Sequence, residues 1–112
     1  MLGLCTYGPT GAVVAAVTTS LPEAPGGERQ VDYRYTRLRD ASSAVAVAVL
    51  LGQPGTAERY LAFVLRQTRE RVLPSGPMTD VRGEQVPPER EVQGVAGWGD
   101  SLPVRVGNGA GE

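Results

Sequence analysis

The sequence predicts a mainly α chain built around one antiparallel helical hairpin and flanked by extended and looped segments. Three observations point there. Two stretches with helical character, 40–51 and 56–72, stand on either side of a tight Gly52-Gln53-Pro54-Gly55 turn. The 15 Gly and nine Pro of the 112 residues all fall outside those stretches and break regular structure elsewhere. Large apolar side chains are few (ten Leu, fifteen Val, one Phe and no Ile), so the chain can build only a small core.

Residues 1–39 read as an extended segment. Gly8-Pro9-Thr10-Gly11 is turn chemistry, Ala12–Val17 is a short apolar strand, and Pro22, Pro25, Gly26 and Gly27 stop any longer element. The first helix is expected over 40–51, with Asp40 or Ser42 as N-cap and Gly52 as its stop. Its Ala44–Leu51 run is apolar on every face, so most of its faces must be covered. The second is expected over 56–72, capped by Thr56, with Glu58 in the first turn and Arg69 and Arg71 at the negative end before Pro74. Ala57, Tyr60, Leu61, Val64, Thr68 and Val72 form its apolar stripe, and Arg66–Glu70 is an exposed i,i+4 pair. Residues 73–112 form a loop region. Within it Val81–Val86 makes a small hairpin around Gly83, and Val104-Arg105-Val106 is extended beside a Gly-rich loop carrying Trp98.

Composition removes whole classes of chemistry. All eleven cationic residues are Arg. Without His there is no Ser-His-Asp or Cys-His unit and no imidazole metal ligand; without Lys there is no Schiff-base amine. The single cysteine, Cys5, has no base beside it and reads as a small apolar residue. No metal and no cofactor is expected. A net charge of −1 offers no footprint for nucleic acid, and no apolar run suits a membrane span, so the expected location is cytoplasmic.

The densest polar cluster is Asp32-Tyr33-Arg34-Tyr35-Thr36-Arg37-Leu38-Arg39-Asp40, on a loop entering the first helix. Adjacent Arg39 and Asp40 suit a polyhydroxylated ligand, because a carboxylate accepts from hydroxyls while a guanidinium donates to them. Tyr33 and Tyr35 add ring faces with polar tips. The same residues also read as a helix cap and a solvated charge run. Trp98 reads equally as a sugar-stacking platform or as an ordinary packing residue.

Resemblance adds to this. The run Gly27-Glu28-Arg29-Gln30-Val31-Asp32-Tyr33-Arg34-Tyr35-Thr36-Arg37-Leu38-Arg39-Asp40-Ala41-Ser42 resembles the hallmark of glycoside hydrolase family 15, which includes bacterial glucoamylases, glucodextranases and trehalases. Upstream, Thr6–Ala16 and Thr18–Glu23 are similar to the same family, as is Pro103-Val104-Arg105-Val106-Gly107-Asn108 downstream, all in family order. The resemblance implies part of an (α/α)6 barrel that hydrolyses α-glucosidic bonds from the non-reducing end with inversion. It implies that Arg39 and Asp40 bind hydroxyls of the terminal glucose and that Tyr33 lies near the reacting centre; Arg105, inside the downstream block, and Trp98, for its ring face, are further candidates for substrate contact. Residues 1–112 are then expected to be the N-terminal part of a catalytic domain, beginning without the β-sandwich that precedes it in bacterial members.

Inverting hydrolysis needs one acid and one carboxylate base. In the family both lie on later loops, and none of the eight Glu here stands in a similar context, so no catalytic residue is expected within the chain. Three positions depart from the pattern: Arg37 and Val31 where Trp is usual, and Leu102 where Arg is usual. The other reading is a small non-catalytic module that binds sugar, or another partner, through the hairpin and loop.

Overall fold

A computed structural model describes residues 2–70 and 78–108. Two helices pack as an antiparallel hairpin, and three two-stranded antiparallel pairs surround them. In chain order the elements are β1 (Thr6–Tyr7), β2 (Ala12–Val13), β3 (Thr36–Arg37), α1 (Leu38–Leu50), α2 (Pro54–Arg69), β4 (Met78–Thr79), β5 (Arg90–Glu91) and β6 (Arg105–Val106). Single 3-10 turns occupy Leu2–Leu4 and Trp98–Asp100. The helical hairpin agrees with the sequence reading. These residues contain one hairpin and show no barrel.

The Gly8–Gly11 turn joins β1 to β2, with Thr6 opposite Val13 and Tyr7 opposite Ala12. The Gly11 N–H donates to the Tyr7 carbonyl, and Gly11 has φ +80°. A Cβ there would lie 2.6 Å from the Arg59 carbonyl oxygen, so β2 passes directly over α2. Cys5, expected to be buried, is only half-buried; its carbonyl accepts the Val14 N–H.

α1 starts two residues earlier than the sequence suggests. Arg37 is its N-cap, with extended dihedrals, and no side chain caps the helix. Asp40 is therefore the third helical residue, in the positive first turn but not at the cap, and the Ser42 hydroxyl donates back to the Leu38 carbonyl. The other end follows expectation. Gly52 at φ +77° donates to the Val49 carbonyl and Gln53 to Ala48, the paired bonds of a Schellman stop.

α2 begins at Pro54, whose fixed φ and missing N–H suit the first helical position, so Thr56 is not the cap and Glu58 falls beyond the first turn. Its buried face is Tyr60, Phe63 and Gln67, flanked by half-buried Ala57 and Val64. Leu61 and Thr68, assigned to the stripe from spacing, are exposed. The helix carries apolar residues on two faces, and period alone does not choose between them. No ion pair joins Arg66 to Glu70; the Arg66 guanidinium lies 5.7 Å from the Phe63 ring centroid. The expectations for Arg71, Val72 and Pro74 lie outside the described residues.

The core is Ala12, Val13, Ala41, Tyr60 and Phe63, with Ala44, Val45, Val64 and Val81 packed against it. The Tyr60 and Phe63 rings stack with centroids 6.2 Å apart. Full burial of Phe63 is worth about 1.5–3 kcal/mol. The small hairpin around Gly83 is present. Thr79 bridges Gln85, and the Asp80 carboxylate accepts the N–H groups of Arg82 and Glu84. Thr10 ties this hairpin to the first by donating its hydroxyl to the Val81 carbonyl at 2.6 Å.

Candidate functional site

Segment 26–34 and segment 101–107 lie side by side although about 75 residues separate them in sequence. Three contacts hold them: the Gly26 N–H on the Ser101 hydroxyl at 3.1 Å, the Gln30 side-chain amide on the Leu102 carbonyl at 3.0 Å, and the Gly107 N–H on the Asp32 carboxylate at 3.2 Å. The two motif blocks are thus one piece of structure.

Asp32 is the centre of that piece. Its side chain is fully buried. Oδ1 accepts the Arg34 backbone N–H at 3.2 Å and Arg34 Nε at 2.9 Å; Oδ2 accepts Arg34 Nη2 at 2.8 Å and the Gly107 N–H. Burial alone would raise the Asp32 pKa, but these bonds outweigh it and hold the carboxyl below its ordinary value. The Arg34 pKa is correspondingly raised, chiefly by the side-chain bond to Asp32.

Beside this clasp lies an open pocket of about 510 Å³, within the size range of small-ligand sites. Asp32, Arg37, Arg105, Glu28 and Glu89 are among its charged walls. Arg105 is on β6, paired with β5 through Glu91, and its Nη2 lies 3.1 Å from a Glu89 carboxylate oxygen. The Nε atoms of Arg37 and Arg105 are buried without a hydrogen-bond partner among the described residues. Such a wall alternates fixed donors with fixed acceptors, which is the chemistry that hydroxyl groups satisfy.

The sequence-derived candidates divide. Arg105 lines the pocket; Arg39, Asp40, Tyr33 and Trp98 do not. Arg39 and Asp40 stay together in the first turn of α1, Nε to Oδ1 3.6 Å, with the Arg39 side chain 95% exposed. Among the described residues no hydrogen bond engages the Asp40 carboxylate; its ion-pair partner is the Arg39 guanidinium. Tyr33 is half-buried, and its carbonyl accepts the Ala16 N–H at 3.0 Å. Trp98 is 62% exposed, which excludes a core-packing role within these residues. Sequence reasoning missed Asp32 and Arg37 as site residues. The Asp-x-Arg spacing was visible, but its pairing with Gly107 is long-range and carries no local signal.

The description "Glycosyl hydrolases family 15" matches residues 1–112, the whole chain. The chain belongs to glycosyl hydrolases family 15. Among curated relatives of this family member, a trehalase of Mycolicibacterium smegmatis is 43% identical over 109 residues, covering 94% of this chain and 16% of the relative. Trehalase 1 of Sulfolobus acidocaldarius is 41% identical over 111 residues, 98% of this chain and 20% of the relative. A trehalase of Thermoplasma acidophilum is 39% identical over 108 residues, 93% of this chain and 18% of the relative. The chain therefore spans a fifth or less of the length of these relatives. No solved structure gives a significant match. Among the described residues no helix is long and apolar enough to cross a membrane, and no group of three or more His, Cys, Asp or Glu that could hold a metal occurs.

Proposed function

We propose that residues 1–112 form the glucose-gripping part of a family 15 α-glucosidase catalytic domain, with trehalose as the preferred substrate class. The observation that carries this reading is the family match along the entire chain, whose hallmark run contains the Arg39–Asp40 pair. The names of the similar trehalases favour trehalose over α-glucans or isomalto-oligosaccharides. In this reading Asp40 accepts from two hydroxyls of the terminal glucose and Arg39 donates to others. Tyr33 stands near the reacting centre, and Arg105 and Trp98 contact the sugar from the far segment. Residues 1–39 supply the extended segment and sugar loop, 40–72 the hairpin, and 73–112 the loop wall.

The rest of the domain then supplies what these residues do not. Inverting hydrolysis places an acid and a base about 6.5–9.5 Å apart with a water between them. That couple belongs to the part of the relatives this chain does not match. The exposed apolar face of the hairpin (Val47, Leu50 and Leu61 among others) supports burial against further helices of an (α/α)6 barrel.

Trehalose titration of the ¹⁵N-labelled chain tests the grip. Trehalose is expected to shift the backbone resonances of Arg39 and Asp40, while Asp40→Asn weakens binding at least about tenfold. A folded spectrum in which trehalose moves neither resonance would overturn the reading. The chain alone is expected to release no glucose from trehalose; release would relocate the catalytic couple into residues 1–112.

A further inference from the structure

We infer that Asp32 is the positioning residue of this site, placing Arg105 through the Gly107 amide without itself contacting ligand. The inference deepens the proposed sugar-binding function and rests on it for the ligand. A buried carboxylate in a pocket wall invites assignment as a base or a sugar ligand, but its own bonds argue otherwise. An ionised carboxylate offers about four lone-pair directions. Asp32 uses all four, three toward Arg34 and one toward Gly107. No acceptor is left for a hydroxyl or a water unless a clasp bond breaks. Asp40, eight residues on, differs: among the described residues its carboxylate meets the Arg39 guanidinium at 3.6 Å and accepts no hydrogen bond.

The bond to Gly107 acts on Arg105 because little chain lies between them. β6 ends at Val106, and Gly107 turns the chain at φ +96°. On one side this turn rests on Pro87 and Pro88: the Asn108 N–H donates to the Pro87 carbonyl at 3.0 Å, and a Cβ on Gly107 would lie 2.5 Å from the Pro88 oxygen. On the other side the Gly107 N–H donates to Asp32. Glu89 holds the tip of Arg105 at 3.1 Å and the β5 pairing holds its backbone, while Asp32 fixes the turn two residues on; among the described residues Arg105 Nε has no hydrogen-bond partner. With Asp32 released, the turn after β6 loses that tie, and Arg105 changes its place relative to Arg37.

The ¹⁵N-labelled 112-residue chain carrying Asp32→Asn tests this without ligand. The Gly107 amide proton is expected to move upfield and exchange at least about tenfold faster. The Arg105 Nε–Hε resonance shifts with it, while the Phe63 and Gln67 amides keep their protection. Unchanged Gly107 and Arg105 signals overturn the inference. So does an equal loss of protection at Phe63 and Gln67, which would make Asp32 a general stability residue. Should the variant not fold, acidifying the unaltered chain applies the same loss. Arg34 faces Asp32 and Glu89 faces Arg105, so the Arg105 Nε–Hε signal should move together with the Gly107 amide as the pH falls; an Arg105 signal that moves without Gly107 overturns the inference. In the folded variant, trehalose affinity falls at least about tenfold with Asp40 unaltered. If the unaltered chain binds no trehalose yet Gly107 and Arg105 respond together, positioning holds and the sugar reading fails.

Discussion

Burial would push an isolated carboxyl at position 32 up, toward a neutral state that could give or take a proton. The Arg34 fork and two backbone N–H groups reverse this and hold the Asp32 carboxyl below its ordinary value. The sign of the pH dependence follows. The folded pKa lies below the ordinary 3.8, so the clasp's contribution to stability is complete above 3.8 and is lost as the pH falls through the lower folded value. Urea unfolding between pH 5 and pH 2 is expected to show the midpoint falling below pH 3.8, with Asp32→Asn removing that part of the slope. A slope unchanged in the variant would assign the acid sensitivity to other carboxylates.

The helices show what sequence patterns carry and what they leave open. The Gly52 stop and the Pro54 start are local in cause, and the sequence placed the turn between them correctly. The face of α2 is not local. Leu61, Phe63, Val64 and Leu65 follow one another, and only the position of β2 above the helix decides which of them is buried. Phe63→Ala is therefore expected to cost about 3–5 kcal/mol by urea denaturation, while Leu61→Ala costs under about 1 kcal/mol. Equal costs would mean that the stripe centred on Leu61 is the buried one. The same division holds at the site. Arg105, a wall of the pocket, was legible because it stands inside a motif, whereas Asp32 and Arg37 reach that wall through contacts made across the fold. The start of α1 at Leu38 was missed because Arg37 caps it through backbone conformation alone.

At the scale of the molecule, shape and surface agree. The radius of gyration is 15.2 Å, above the roughly 13 Å of a compact domain of this length, and the long and short axes are 43 and 21 Å. Leu50 is 85% exposed and Leu51 72%, while the buried core rests on a handful of side chains from β2, α1 and α2. A surface of this kind belongs against other protein. Replacing Leu50 and Leu51 by Glu is expected to leave the unfolding midpoint of the isolated chain within about 0.5 kcal/mol while lowering its self-association in sedimentation. A large loss of stability would show that these leucines are already covered.

The clasp between Asp32 and Gly107 also sets an order of events during synthesis. The helical hairpin can close as soon as its own residues have emerged, because its contacts are near neighbours in sequence. The Asp32 carboxylate must wait for Gly107, 75 residues later. At bacterial or eukaryotic elongation speeds that is an interval of about 4–15 s. For about the last half of that time, once α2 is complete at Arg69, the ribosome holds a chain with formed helices, an exposed leucine edge and an unfinished pocket. Interruption of translation within this window releases a product that keeps Arg39 and Asp40 but has no Arg105 wall.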